Sequence, residues 1–286
     1  EYPEISWDVL WGKVWYEGYD EEDYIWQSSA STNEFEPKLS LVPLSFGTIK
    51  AAFYAMFFAV PIAILGAIFT AQFMAPPMRR TVKPAIEIME ALPTVILGFL
   101  AGLWLAPYVE DHLAGIFTLL ILLPAGFILC AWLWRFVPCK SSLEGWEAAL
   151  LIPVVIVIAW VSMALSSPIE TLLFNGDLRT HMSNEWGLNY DQRNALVVGL
   201  IMGFAVIPTI FSIAEDALFS VPQHLVRGSL ALGATRWQTM TSVVLPAASP
   251  GIFSAVMMGF GRAVGETMIV LMATGNTPLM DMSIFQ

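Results

Sequence analysis

Six long, mostly apolar stretches, at residues 48–74, 85–107, 114–134, 147–166, 194–214 and 247–273, decide the solvent in which this chain folds. Crossing the roughly 30 Å of bilayer hydrocarbon takes about 20 apolar residues at about 1.5 Å of helical rise each. All six are long enough. Lipid offers no partner to an unpaired backbone N–H or C=O, so each span must close its hydrogen bonds internally as a helix. With 57% hydrophobic and 13% charged residues and a mean hydropathy of +0.67 over 286 residues, the chain is too apolar for a soluble domain of this size. The expected fold is all-α, a polytopic bundle of six transmembrane helices with lipid around it.

The formal net charge is -11, but ten of the 24 acidic residues fall within the first 40 positions. That segment, residues 1–40, holds Asp20, Glu21, Glu22 and Asp23 among Trp7, Trp11, Trp15, Tyr16, Tyr19, Tyr24 and Trp26, with no apolar run. It is therefore a solvated or interfacial piece, not a signal peptide. Trp7, Trp11 and Trp15 recur every fourth residue, the spacing of a helix lying on a membrane surface or against a partner. Lysine and arginine gather in alternate loops: Arg79, Arg80 and Lys83 after the first span, Arg135 and Lys140 after the third, Arg227 and Arg236 after the fifth. The positive-inside rule puts those loops in the cytoplasm and both ends of the chain outside. The chain starts without methionine and stops at Gln286 after an outward-facing polar turn, so a further helix is expected before residue 1 and another after residue 286. Spread evenly, the net negative charge would argue against nucleic acid, but it belongs to one segment; no nucleic acid is expected as a partner. Cys130 and Cys139, and the dispersed His112, His181 and His224, have no disulfide or metal-ligand spacing, so no metal is expected.

The sixth span carries the only basic residue deep in an apolar run, Arg262. Glu266 lies four residues on, so on a continuous helix the two share a face and pair, with Thr267 next to them. One reading is a polar pathway in which the planar guanidinium meets an oxyanion; the other is a structural ion pair that fixes helix packing. Gly261 and Gly265, like Gly199 and Gly203, have the small-xxx-small spacing that lets helices approach closely, and the former pair does not fit a nucleotide-binding loop. An intramembrane enzyme would need Glu87, Glu90 or Glu266 as acids, yet no nucleophile accompanies them, and Glu87 and Glu90 are placed to anchor the second span at its basic boundary. Between the fifth and sixth spans, residues 215–246 form an unusually long loop of short helices. Its Leu230, Leu232, Trp237, Val243, Val244 and Leu245 call for a cover, either the bundle itself or a partner protein.

Two motifs carry a family resemblance. Gly233, Ala234, Thr235, Arg236, Trp237 and Gln238, followed by Val243, Val244, Leu245 and Pro246, resemble the EAA-loop signature of ABC importer permeases; Arg227, Gly228 and Ser229 stand where that motif leads with Glu-Ala-Ala. The block from Gly261 to Met268, with Arg262, Gly265, Glu266 and Thr267, resembles the arginine-and-glutamate helix of the phosphate-specific permeases PstC and PstA. Phe46, Gly47 and Thr48, Lys83 with Pro84, and Leu92, Pro93 and Thr94 match too, so that the resemblance covers most of residues 41–280, and Asn276, Thr277 and Pro278 lean toward PstC.

The resemblance implies a type I ABC importer permease over residues 41–286, in the inner membrane, importing phosphate, or else another oxyanion such as sulfate or molybdate. It implies a second permease subunit, a cytoplasmic ATPase dimer and an extracytoplasmic phosphate-binding protein as partners. Arg227, Gly228, Ser229, Gly233, Ala234, Thr235, Arg236, Trp237, Leu245 and Pro246 would couple to the ATPase, and Arg262, Glu266 and Thr267 would line the substrate pathway, with Glu266 holding Arg262 when the site is empty. No G-x-x-x-x-G-K-[ST] sequence is present, so ATP and Mg belong to the partner and no cofactor to this chain. Spans three and four with the following loop, residues 114–193, look like an insertion relative to compact family members.

Overall fold

The computed structural model describes residues 5–16, 18–27, 37–133, 147–174, 176, 178–275, 280, 281, 283 and 285. The expectations for Arg135, Cys139 and Lys140, and for the Asn276, Thr277 and Pro278 turn, lie outside these residues. The amino-terminal segment folds onto the start of the first span. Helix α1 (Trp7–Trp11) is capped by Ser6, whose Oγ accepts from the Val9 N–H at 3.3 Å, and it stops at Gly12, which is extended. The tryptophan helix is thus shorter than the spacing predicts, and Trp15 lies beyond it. Trp26–Gln27 pairs antiparallel with Lys38–Leu39, and the Leu41 N–H reaches the Leu10 carbonyl at 2.8 Å.

The bundle is built on α2 (Val42–Gln72). Ala51, Ala55, Ala59, Ala63 and Ala67 recur every fourth residue and are all buried, a stripe of methyls on one face. Phe53, Phe57, Ile62 and Leu65 occupy the exposed face, where lipid is the natural solvent. After α3 (Pro76–Glu90), Pro93 opens a second span made of α4 (Thr94–Leu100), a π-helical turn at Ala101–Leu105 and α5 (Ala106–Asp111). Spans α6 (Leu113–Leu133) and α7 (Glu147–Ala164) pack mainly on each other and on α8 (Ser166–Leu173), away from the central seam. A bend of 41° separates Leu151–Ala164 from Ser166–Trp186, which includes α9 (Leu178–Trp186).

Helix α10 (Ala195–Phe219) is the most buried span and packs along the alanine stripe of α2. A methyl on Gly199 would lie 2.9 Å from Tyr54 Cβ, and one on Gly203 would lie 3.0 Å from the Ala55 carbonyl oxygen. Replacing Gly199 by valine is expected to cost about 1–3 kcal/mol through overpacking, read as a lower unfolding temperature in detergent. Gly261→Ala should not lower that temperature in the isolated chain, because among the described residues nothing lies within 4 Å of a methyl built there.

The basic end of the bundle carries α11 (Gln223–Ala231) and α12 (Arg236–Thr239). From α12 a π-helical turn at Met240–Val244 leads into α13 (Leu245–Gly265), so that Arg236–Gly265 is a single rod of 30 residues. The chain then breaks and resumes as α14 (Met268–Thr274). Five helices among the described residues are long and apolar enough to cross a membrane, and the bent pair, counted as one span, brings the number to six. The molecule is an all-α, multi-span membrane protein.

Two spans differ most from their expected bounds, each for a physical reason. The second, expected at 85–107, is split at Leu92 and Pro93: α3 is strongly amphipathic, with Arg79, Lys83, Glu87 and Glu90 on its polar side, and only 94–111 is apolar enough to cross. The sixth, expected at 247–273, starts at Arg236 and ends at Gly265, because Glu266 is extended at φ -81° and ψ 106°.

Candidate functional site

The break after Gly265 rearranges the charged residues of the sixth span. Arg262 and Glu266 do not pair, contrary to the expectation of a continuous helix. Glu266 turns to the start of α14, where its Oε1 accepts from the N–H groups of Met268 and Ile269 at 3.2 and 3.4 Å. Arg262 instead donates through Nη1 to Glu90 Oε1 and to Thr209 Oγ1, and Thr209 Oγ1 donates to Glu90 Oε1 at 2.9 Å. Three elements, the end of α3, the middle of α10 and the last turn of α13, are joined in one polar cluster. Thr209 sits ten residues, roughly 15 Å of helix, from the basic end of α10, well inside the span. The side chains stay open, Arg262 at 29% and Glu90 at 41% of full exposure. Charged groups at that depth do not face hydrocarbon without heavy cost, so this face is turned to a polar pathway or to another protein.

Glu266 and Thr267 lie on a different surface. With Thr48 and Lys50 of α2 and Asp191 and Arg193 before α10, they line a cavity of about 630 Å³ open toward the end of the bundle opposite the basic one. Beside its rim, burial pushes the Tyr190 phenol above its usual range.

Helix α14 is seated by two glycines that the sequence reading passed over. A methyl on Gly98 would be 2.9 Å from Ile269 Cα, and one on Gly102 would be 2.7 Å from the Met272 carbonyl oxygen. Both contacts are with backbone, so neither can give way. The signal was available, since Gly98 and Gly102 have the same spacing as Gly199 and Gly203. Gly261 and Gly265, expected to pack, have no neighbour among the described residues within 4 Å of a methyl built at either.

At the basic end, Arg79 and Lys83 of α3 both bind Glu215 of α10, whose side chain is fully buried, and Lys83 Nζ also reaches Asp216 at 2.8 Å. The Arg79 guanidinium lies 4.1 Å from the centre of the Phe219 ring. Below this knot the expected 215–246 loop narrows to residues 220–235, since 215–219 belong to α10 and 236–246 to the rod, and it is ordered by its own polar groups. Gly233 has φ +90°, a conformation suited to glycine, and Thr235 and Gln238 form a reciprocal cap at the start of α12. Ser229 and Thr239 hydroxyls meet at 3.0 Å and tie α11 to the following rod.

Part of the loop's apolar surface is covered by the bundle, with Val244 buried and Val243 and Leu245 half-buried. Leu232 and Trp237 remain open at 91% and 62%, and Arg227, Gly228, Gly233, Thr235, Arg236 and Pro246 are exposed around them, with Ser229 and Ala234 half-buried.

Residues 59–284 match the family described as binding-protein-dependent transport system inner membrane component. The chain belongs to that family. It is thus an inner-membrane component of a transport system. It is 27% identical over 251 residues to a probable ABC transporter permease protein, YqgH, of Bacillus subtilis (strain 168), an alignment covering 87% of this chain and 57% of that protein. To the phosphate transport system permease protein PstC of Pasteurella multocida (strain Pm70) it is 27% identical over 246 residues, covering 86% of this chain and 59% of that one. The PstC of Haemophilus influenzae is 26% identical over 246 residues, with 86% and 60% covered. The chain thus spans somewhat less than two thirds of these relatives' length.

Proposed function

We propose that this permease is one of two membrane subunits of an ATP-driven importer that moves phosphate across the inner membrane, with ATP and Mg bound by a separate ATPase dimer. The observation that carries the reading is the open Arg262, Glu90 and Thr209 cluster inside the bundle, which offers a guanidinium to an anion at a depth where lipid offers nothing. The names of the PstC relatives support phosphate as that anion.

An extracytoplasmic phosphate-binding protein delivers the ion to the end bearing the 630 Å³ cavity, where Glu266 and Thr267 form part of the entrance. Residues 1–40 lie on that side, and both termini of the chain are extracytoplasmic. The open face of α13 around Gly261 and Gly265 receives the second permease subunit. Spans α6 and α7, within the 114–193 insertion, meet lipid.

At the other end, α11 and α12 fill a groove on the ATPase, with Leu232 and Trp237 as its apolar anchors and Arg227, Gly228, Ser229, Gly233, Ala234, Thr235 and Arg236 around them; Leu245 and Pro246 begin the helix that carries the motion away. Since α12 and α13 form one rod, a displacement at Trp237 arrives at Arg262 as a rigid-body shift. Helices α3 and α10 are clamped together by Glu215, so Arg262 moves relative to Glu90 and Thr209 and exchanges its partners for the anion. Arginine gives sulfate or molybdate the same donors, so a permease for another oxyanion is the second reading. ATP hydrolysis by the assembled, reconstituted transporter is expected to rise on addition of phosphate with its binding protein. A response to sulfate or molybdate alone would replace the substrate and keep the architecture.

A further inference from the structure

The arginine cluster has a second edge besides its donors. Glu90 Oε1 takes the bonds from Arg262 and Thr209, while among the described residues Glu90 Oε2 and Arg262 Nη2 have no hydrogen-bond partner. An ionised carboxylate only accepts, and a guanidinium only donates. An anion arriving here therefore meets donors and an acceptor side by side.

The geometry points to Glu90 as a specificity-determining residue that admits an oxyanion still carrying a proton and rejects one that has lost all its protons. The inference rests on the reading of Arg262 as the anion's ligand in a phosphate pathway. At neutral pH hydrogen phosphate keeps at least one O–H, which donates to Glu90 while its other oxygens accept from Arg262. Sulfate has the same shape but no proton, so an oxygen set against Glu90 meets a like charge and leaves the carboxylate unbonded. A site built around a hydrogen bond discriminates against an analogue that cannot make it, because the carboxylate then faces an anion oxygen with no proton between them. Arginine alone does not separate the two anions; the carboxylate beside it does. Glu90 supplies this at a position that is half open rather than sealed, so the anion can reach it without unfolding the cluster.

The test uses the complete transporter in detergent without its binding protein, so that no selection occurs upstream, and measures binding of labelled phosphate and labelled sulfate by equilibrium dialysis at pH 7. Wild type should prefer phosphate. Glu90→Gln adds an amide donor and removes the charge, and it should shift the phosphate-to-sulfate affinity ratio toward sulfate by about tenfold or more. Glu90→Asp keeps an acceptor and should hold the preference for phosphate, which separates a lost acceptor from a damaged fold. Arsenate, protonated like phosphate, should compete in wild type. A Glu90→Gln transporter that keeps the wild-type ratio would overturn the inference, as would a wild type that binds both anions equally. If phosphate with the binding protein fails to stimulate the wild-type ATPase, the failure lies instead in the substrate reading beneath it.

Discussion

Replacing Arg79 and Lys83 together by leucine is expected to lower the unfolding free energy of the bundle by about 3–5 kcal/mol. Both cations end on Glu215, whose carboxylate has no exposed surface, while they themselves keep 23% and 28% of theirs. The asymmetry fixes which change hurts. Removing the cations leaves an ionised carboxylate buried without a partner, the costliest arrangement available to it. Glu215→Gln should cost only about 1–3 kcal/mol, because Arg79 and Lys83 can swing toward water and Lys83 keeps Asp216. Thermal unfolding of the purified protein in detergent measures both. A loss from the double variant alone, with Glu215→Gln costing nothing, would show that the knot acts through packing, for instance through Arg79 on the Phe219 ring.

The same knot illustrates what a sequence can and cannot disclose. The number of spans and their helical form are legible because hydrocarbon thickness sets the length of an apolar run and leaves helix as the way to pair the backbone. The small-xxx-small rule likewise picks out Gly199 and Gly203, which do face the backbone and Cβ atoms of α2. Long-range partners are another matter. Arg262 and Glu90 are 172 residues apart, and the nearer Glu266 is an equally plausible partner until the helix is known to stop at Gly265. Nothing local announces that stop, since no proline follows and Gly265 is one of several glycines in the run.

The misplaced bounds of the second span have a similar origin. Hydropathy averaged along 85–107 absorbs Glu87 and Glu90 into an otherwise apolar window, although the amphipathic pattern of α3 and Pro93 together mark a separate helix. Glu90 thus appears in sequence as an anchor at a boundary. In the fold, α3 carries it inward to the level of Thr209, and its role changes with its depth. Gly261 and Gly265 show the converse limit: their spacing is right for packing, but among the described residues nothing lies within 4 Å of a methyl built at either.

Arg262→Gln is expected to reduce phosphate-stimulated ATP hydrolysis and phosphate uptake by the reconstituted transporter at least about 100-fold, equivalent to roughly 2.8 kcal/mol at 1.4 kcal/mol per decade. Assembly should survive, because an ion pair this open contributes little to stability. Glutamine removes the cation and leaves Glu90 and Thr209 bonded to each other, so the pathway would present an unopposed negative charge to an anion. Two causes for the loss then compete: the anion lacks its ligand, or it is repelled by Glu90. The double variant Arg262→Gln with Glu90→Gln separates them, since it carries no charge at the cluster. If the guanidinium is the ligand, the double variant stays inactive, because neutrality removes repulsion without supplying donors of comparable strength. Recovered uptake would mean that Arg262 serves only to neutralise Glu90, and the anion's contact would have to be sought among Lys50, Arg193 and Thr267 in the cavity beyond.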